Sequence, residues 1–182
     1  MALTCWQKVR WLLAAILTAV SSASWAQTYV GANLGATFYN DAEKYWLEDE
    51  STAYELKGGV RLIDVLAIEM SYLNLGEFLD EYEDRDISYS GSTISAKAIL
   101  PLGPEMDIYA KIGLFFWERD RQGWRRSYFV DEGESLVIGG GASFNVSDEI
   151  SVDLEYRRFD LDFGRETLEV DLFSAGISLY FW

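Results

Sequence analysis

The chain has 182 residues, with 30 acidic against 15 basic side chains, a formal net charge of −15 and no histidine. That acidity makes nucleic acid a poor partner, and the missing histidine removes Ser-His-acid hydrolysis and histidine general-base chemistry. Metal sites built on His and Cys go with it, because the single cysteine, Cys5, lies in what reads as a leader.

Residues 1–26 have the layout of a cleavable secretory signal peptide. Lys8 and Arg10 precede an apolar run from Trp11 to Val20, and Ser24 and Ala26 stand three and one residues before Gln27. The run is too short to span a bilayer. A lipoprotein leader would carry its cysteine after the apolar core, whereas Cys5 precedes it. Residues 27–182 suit one domain. They contain no cysteine for a disulfide and no apolar run long enough for a transmembrane helix.

Eight segments of this remainder alternate in polarity with period two, the mark of strands with two unlike faces. The first, Tyr29 to Phe38, sets Val30, Ala32, Leu34, Ala36 and Phe38 against Gly31, Asn33, Gly35 and Thr37. The second, near Tyr54 to Leu62, sets Tyr54, Leu56, Val60 and Leu62 against Glu55, Lys57, Gly59 and Arg61. In the third, Leu66 to Leu75, Leu66, Ile68, Met70 and Tyr72 oppose Ala67, Glu69 and Ser71. The fourth sets Ile94, Ala96, Ala98 and Leu100 against Thr93, Ser95 and Lys97. The fifth sets Ile108 to Phe116 against Tyr109, Lys111 and Gly113, and the sixth Leu136 to Phe144 against Gly139, Gly141 and Ser143. The seventh alternates Ile150, Val152, Leu154 and Tyr156 with Ser151, Asp153, Glu155 and Arg157. The eighth, Leu168 to Trp182, alternates Phe173, Ala175, Ile177, Leu179 and Phe181 with Ser174, Gly176, Ser178 and Tyr180. Segments of roughly 9–11 residues are what a tilted strand needs to cross the hydrocarbon layer.

One face is nearly all apolar, and the other carries ionisable groups in most segments. Short turns near Asp64, Pro101–Glu105 and Val146–Asp148 alternate with long polar segments at 40–53, 76–88, 118–133 and 159–168. A soluble sandwich would bury the apolar face and leave a long apolar edge strand bare at the end of the chain, where it templates aggregation. Closing a barrel removes that edge, and a bilayer accepts the apolar face. The predicted fold is all-β: an eight-stranded antiparallel up-and-down transmembrane β-barrel in the bacterial cell outer membrane. Leu66, Ile108 and Ile150 each open a segment after a short turn, 42 residues apart, which superposes Glu69, Lys111 and Asp153. Each such repeat holds two strands and one long loop, so it reads as successive hairpins rather than propeller blades.

The pattern Ser174-x-Gly176-x-x-Leu179-x-Phe181 resembles the C-terminal signal read by the barrel-assembly machinery, a predicted partner during biogenesis, although Trp182 follows it here. The whole of residues 27–182 resembles the eight-stranded barrel domain of the outer membrane protein A family. The resemblance is carried by Tyr29-Val-Gly-Ala-Asn-Leu-Gly35, Gly58-Gly59, Glu69-Met-Ser-Tyr72 with Leu75-Gly76, and Ala96-Lys97. Asp107-Ile-Tyr-Ala-Lys-Ile-Gly113, Gly139-Gly-Gly141 and Leu154-Glu-Tyr156 continue it. It implies periplasmic termini, long external loops and a lumen filled by charged side chains. The chain ends at Trp182, where many family members continue into a peptidoglycan-binding domain, so cell-wall tethering is not expected of it. The family's acidic residue on strand six and arginine on strand seven are replaced by Ser143 and Asp153. Its salt-bridge gate therefore does not transfer residue for residue.

The expected lumen network consists of Glu69, Lys97, Lys111, Asp153, Glu155 and Arg157, with Glu55, Lys57 and Arg61 on the same face. Small residues at Gly139, Gly141 and Ser143 leave room for Lys111 to reach Asp153 or Glu155, and Glu69 is expected to meet Lys97. Ser95 and Lys97 form a conceivable Ser–Lys pair, but two inward residues on one strand read more simply as packing partners, and no enzyme activity or cofactor is expected. Carboxylates at Asp41, Glu43, Glu48, Asp49 and Glu50, and at Glu77, Asp80, Glu81, Glu83, Asp84 and Asp86, suit divalent cations but lack EF-hand spacing. Arg119, Arg121, Arg125 and Arg126 around Trp124 are candidate contacts for lipopolysaccharide phosphates. The leading functional expectation is a structural barrel contributing to envelope integrity, with outer-membrane lipid and lipopolysaccharide as partners. The alternatives are a surface adhesin or evasion factor with a host or surface ligand at the loops, and a narrow low-conductance pore.

Overall fold

The computed structural model describes residues 27–39, 50–80, 85–121, 131–162 and 167–181, and almost all of them are strand. The strands are β1 (Gln27–Tyr39), β2 (Glu50–Ile63), β3 (Leu66–Asp80), β4 (Arg85–Pro101), β5 (Met106–Arg121), β6 (Asp131–Asn145), β7 (Ile150–Asp162) and β8 (Thr167–Phe181). Each pairs antiparallel with its sequence neighbours, and β1 pairs with β8, from Thr28↔Phe181 to Tyr39↔Val170. The sheet is therefore a closed barrel in sequence order, and closure leaves no free edge along the wall. The leader proposed for residues 1–26, and Trp182, lie outside the described residues.

Three connections are short and share one end of the barrel. Arg61 Nη2 donates to the Asp64 carbonyl at 2.7 Å in the β2–β3 turn. Gly103, with φ of 121°, sits in the β4–β5 turn, where the left-handed region suits a residue without Cβ. Between β6 and β7, the Ser147 hydroxyl oxygen accepts from the Ile150 amide at 3.1 Å.

The predicted alternation holds through the middle of every strand and fixes which way the side chains point. Outward positions form an apolar belt, in which Leu34 is 68% exposed and Leu56 63%. A continuous belt of that kind is unstable in water and at home in hydrocarbon. Among the described residues no helix is long and apolar enough to cross a membrane, so the crossing belongs to the strands.

The strands are longer than the sequence suggested, at 13 to 17 residues. They run into all four segments read as long loops, at 40–53, 76–88, 118–133 and 159–168. The reason is a change of phase. Towards the long-loop end the outward positions become charged, with Glu118, Glu134, Asp160 and Glu169 exposed, while the inward positions become apolar. Phe115, Trp117, Phe159, Val170 and Leu172 point inward there, each no more than 3% exposed. With Leu73, Leu75 and Val137 they form one buried apolar cluster. Phe115 and Phe159 meet edge to face with ring centroids 5.3 Å apart, and Trp117 Nε1 donates to Ser135 Oγ at 3.0 Å. Charged-out and apolar-in is the polarity of a water-soluble barrel.

Candidate functional site

The middle of the lumen holds the site. Eight strands enclose a space that side chains just fill, and here charged side chains from non-adjacent strands fill it. Lys111 on β5 is central. Its Nζ donates to Glu69 Oε1 on β3 and to Glu155 Oε2 on β7, both at 2.6 Å. Arg157 reaches across to β2, donating from Nη1 to Glu55 Oε1 at 2.8 Å and from Nη2 to Glu55 Oε2 at 2.6 Å. This two-pronged geometry fixes orientation as well as charge. Arg157 Nε also faces Glu155 Oε1 at 2.8 Å, yet neither atom makes a hydrogen bond; the contact is charge attraction at a poor angle.

Asp153 is held by Lys57 Nζ at 2.8 Å, and its two oxygens accept from Ser143 Oγ and Ser178 Oγ at 2.5 Å each. Nearer the short turns, Arg61 and Asp107 form a looser pair at 3.4 Å. The five acids and five bases named as facing the lumen balance without an outside ion. Burying such pairs stabilises only if the remaining lone pairs and protons are satisfied, and two tyrosines supply part of that satisfaction. Tyr29 Oη donates to Glu69 Oε2 at 2.7 Å, and Tyr109 Oη to Glu155 Oε2 at 2.8 Å.

The expected network members all face the lumen, and one expected pairing is corrected. Of the two partners expected for Lys111 it meets Glu155 rather than Asp153, and it meets Glu69 as well. Glu69 does not pair with Lys97, which makes no ion pair with a described residue. Lys97 is directly opposite Lys111 across the β4–β5 ladder, and like charges in that position repel. Its ammonium lies instead over the Tyr109 ring, 3.7 Å from the centroid, with the Tyr29 ring at 5.8 Å. Among the described residues, no hydrogen bond joins Ser95 to Lys97.

Glu55 and Lys57 face the lumen as expected, whereas Tyr29, Asn33, which donates to Glu55 Oε2 at 2.9 Å, and Asp107 belong to the site without having been expected there. A readable signal for the tyrosines does exist. Tyr29 pairs with Gly59, and Tyr109 with Gly141, on inward faces of adjacent strands. A Cβ on Gly141 would stand 2.7 Å from Tyr109 Oη, so the glycine leaves the space that the ring occupies.

The other expected sites divide between described and undescribed residues. Within the proposed assembly signal, Ser174 and Gly176 face the lumen, Leu179 and Phe181 face outward, and β8 closes on β1. Ser174 Oγ is buried without a hydrogen-bond partner. Of the proposed lipopolysaccharide contacts, Arg119 and Arg121 lie in β5 rather than in a loop. Trp124, Arg125 and Arg126 fall outside the described residues, as do most of the acidic clusters at residues 41–50 and 77–86. Among the described residues, no group of three or more acidic, His or Cys side chains is arranged to hold a metal ion.

A closed ring of eight strands, an apolar outer belt and an ionic lumen define a transmembrane barrel of the outer-membrane kind. The family model described as OmpA-like transmembrane domain matches residues 23–179, and the chain belongs to that family. Outer membrane protein A of Escherichia coli O157:H7 is 27% identical over 137 residues, covering 71% of this chain and 39% of that protein. The chain thus spans about two fifths of the length of the curated relatives of this kind. Neisserial surface protein A has a TM-score of 0.65 at 14% identity, covering 86% of this chain and 97% of that one. Ail, the attachment invasion locus protein of Yersinia pestis, solved with the heparin analogue sucrose octasulfate, gives 0.58 at 12%, covering 86% and 97%. Both structural likenesses speak for the fold. The protein resides in the bacterial outer membrane.

Proposed function

We propose that the protein is a structural barrel, neither catalytic nor conducting, that contributes to envelope integrity among outer-membrane lipid and lipopolysaccharide. The observation that supports this most is the set of ion pairs tying β2 to β7 and β5 to both β3 and β7 across the lumen. Such cross-links stiffen the wall and, together with the apolar side chains above them, leave no porin-sized passage. In planar bilayers the purified protein is expected to give no steady, porin-sized conductance; such a conductance would overturn this reading. Cells lacking the protein are expected to leak a periplasmic reporter, and a loop-shortened version should restore the envelope.

Attachment through the loops is the second reading. It draws on Arg119 and Arg121 at the loop-proximal end of β5 and on the likeness to Ail. Lost attachment of loop-shortened cells with a sound envelope would favour it. Biogenesis in either case is proposed to use the barrel-assembly machinery through the terminal strand. Phe181→Ala should lower the amount of heat-modifiable, folded barrel in outer-membrane fractions; unchanged amounts would count against the signal.

A further inference from the structure

We infer that the barrel is sealed against water and ions by the apolar section at its long-loop end, and that the ion-pair network beneath it is not the barrier. The inference rests on the proposed closed barrel and says which of its two layers closes it. Charged side chains placed on the outer wall at the level of hydrocarbon are destabilising. The outward Glu118, Asp160 and Glu169 therefore place the section that carries them outside the apolar layer of the membrane. Between those outward charges the chain points Trp117, Phe159 and Val170 inward. Inside the same section Phe115, Leu73 and Leu75 are 0% exposed, so the bore is filled there mainly by apolar side chains, and the polar groups among them, Trp117 Nε1, Ser135 Oγ and Thr37 Oγ1, are already hydrogen-bonded within the protein. The two layers meet where the Arg157 guanidinium lies 5.7 Å from the centre of the Phe159 ring.

The chemistry of the layers differs in the property that matters for a barrier. Lys111 and Arg157 each already contact two carboxylates. A lumen walled by such groups offers water and small ions replacement partners as they pass. An apolar constriction offers none and excludes water by dewetting. The same reasoning explains why the family's charge gate need not recur here, with Ser143 and Asp153 at the altered positions hydrogen-bonded to each other at 2.5 Å.

The experiment compares three full-length barrels in planar bilayers, each first shown to be folded by heat-modifiable migration. They are the unmutated protein, Phe115→Ala with Phe159→Ala, and Lys111→Met with Glu155→Gln, which removes one positive and one negative charge together. The expected result is a rise of at least about tenfold in ion current for the aromatic variant, with the charge variant remaining near the unmutated baseline. A channel in the folded charge variant overturns the inference, as does a folded aromatic variant that stays silent. If the aromatic double variant does not fold, Phe159→Ala alone takes its place, and the charge variant still decides. A steady conductance already present in the unmutated protein would instead overturn the closed-barrel reading, which keeps the two failures distinct.

Discussion

Up to the level of Gly113 and Arg157 the barrel is apolar outside and ionic inside; from Phe115 and Phe159 onward the inside is apolar, and from Glu118 and Asp160 the outside is charged. The lower section is held together by ion pairs across the lumen, the upper by an apolar core like that of a soluble protein. One continuous set of strands thus serves two solvents. What changes between them is only the parity of the apolar residues along each strand, as in Leu154-Glu155-Tyr156 against Arg158-Phe159-Asp160. Because successive side chains point to opposite faces, a phase shift turns the section inside out while the strands stay paired, with one register irregularity there between Asn74 and Glu77 of β3.

The comparison breaks most easily in the ionic section. Lys111→Met leaves Glu69 and Glu155 buried without their shared cation, at a cost of roughly 3–5 kcal/mol. Adding Glu155→Gln should recover part of the loss. Urea titration of the lipid-reconstituted barrel measures both, and a single variant as stable as the unmutated protein would refute the central place given to Lys111. In the apolar section, Phe159→Ala removes a fully buried ring and should cost about 3–5 kcal/mol by transfer and cavity effects, with no rescue by any charge change. Its loss should not vary with salt, whereas rescue in the first case is electrostatic; equal salt dependence would erase the distinction between the layers. The smallest effect belongs to the outer wall. Arg158 donates from Nε and Nη2 to Asp171 at 2.7 and 2.9 Å, but on the partly exposed outer wall such a pair contributes less than a buried one whose partner is left uncompensated. Arg158→Ala should leave the urea midpoint unchanged within error, in contrast to the same kind of pair in the lumen.

The lower section was largely legible in the sequence, because a strand with unlike faces announces itself by alternation. The eight strands, the three short turns and the inward placement of Glu69, Lys97, Lys111, Asp153, Glu155 and Arg157 all follow from it. The upper section was not legible as strand. Around the phase shift both parities are apolar for a few residues, as in Leu114-Phe115-Phe116-Trp117, or both basic, as in Arg157-Arg158. The alternation signal vanishes at those points, and the charged outward residues beyond then read as loop. Partner choice inside the lumen was illegible for another reason. Inward side chains reach past their ladder neighbours to strands two or more places away, so Lys111 skips β4 to meet Glu69. Adjacency in the ladder is a guide to repulsion more than to pairing there, as the opposed Lys97 and Lys111 demonstrate.

The ladder between β1 and β8 has a consequence for how the molecule comes into being. It joins residues near the two extremes of the described chain, such as Thr28 with Phe181, so its formation requires ordering nearly everything between them. Contacts of such large sequence separation make folding slow, because the entropy of ordering the chain must be overcome before they form. The bonds from Lys57 to Asp153 and from Arg157 to Glu55 stand in the same position: β2 and β7 face each other only once the ring has closed. Until that moment each of these charges lacks its final partner, and a half-rolled sheet has little reason to leave water. Completion should therefore be abrupt, with the hairpins gaining little individually and the lumen assembling in one cooperative step.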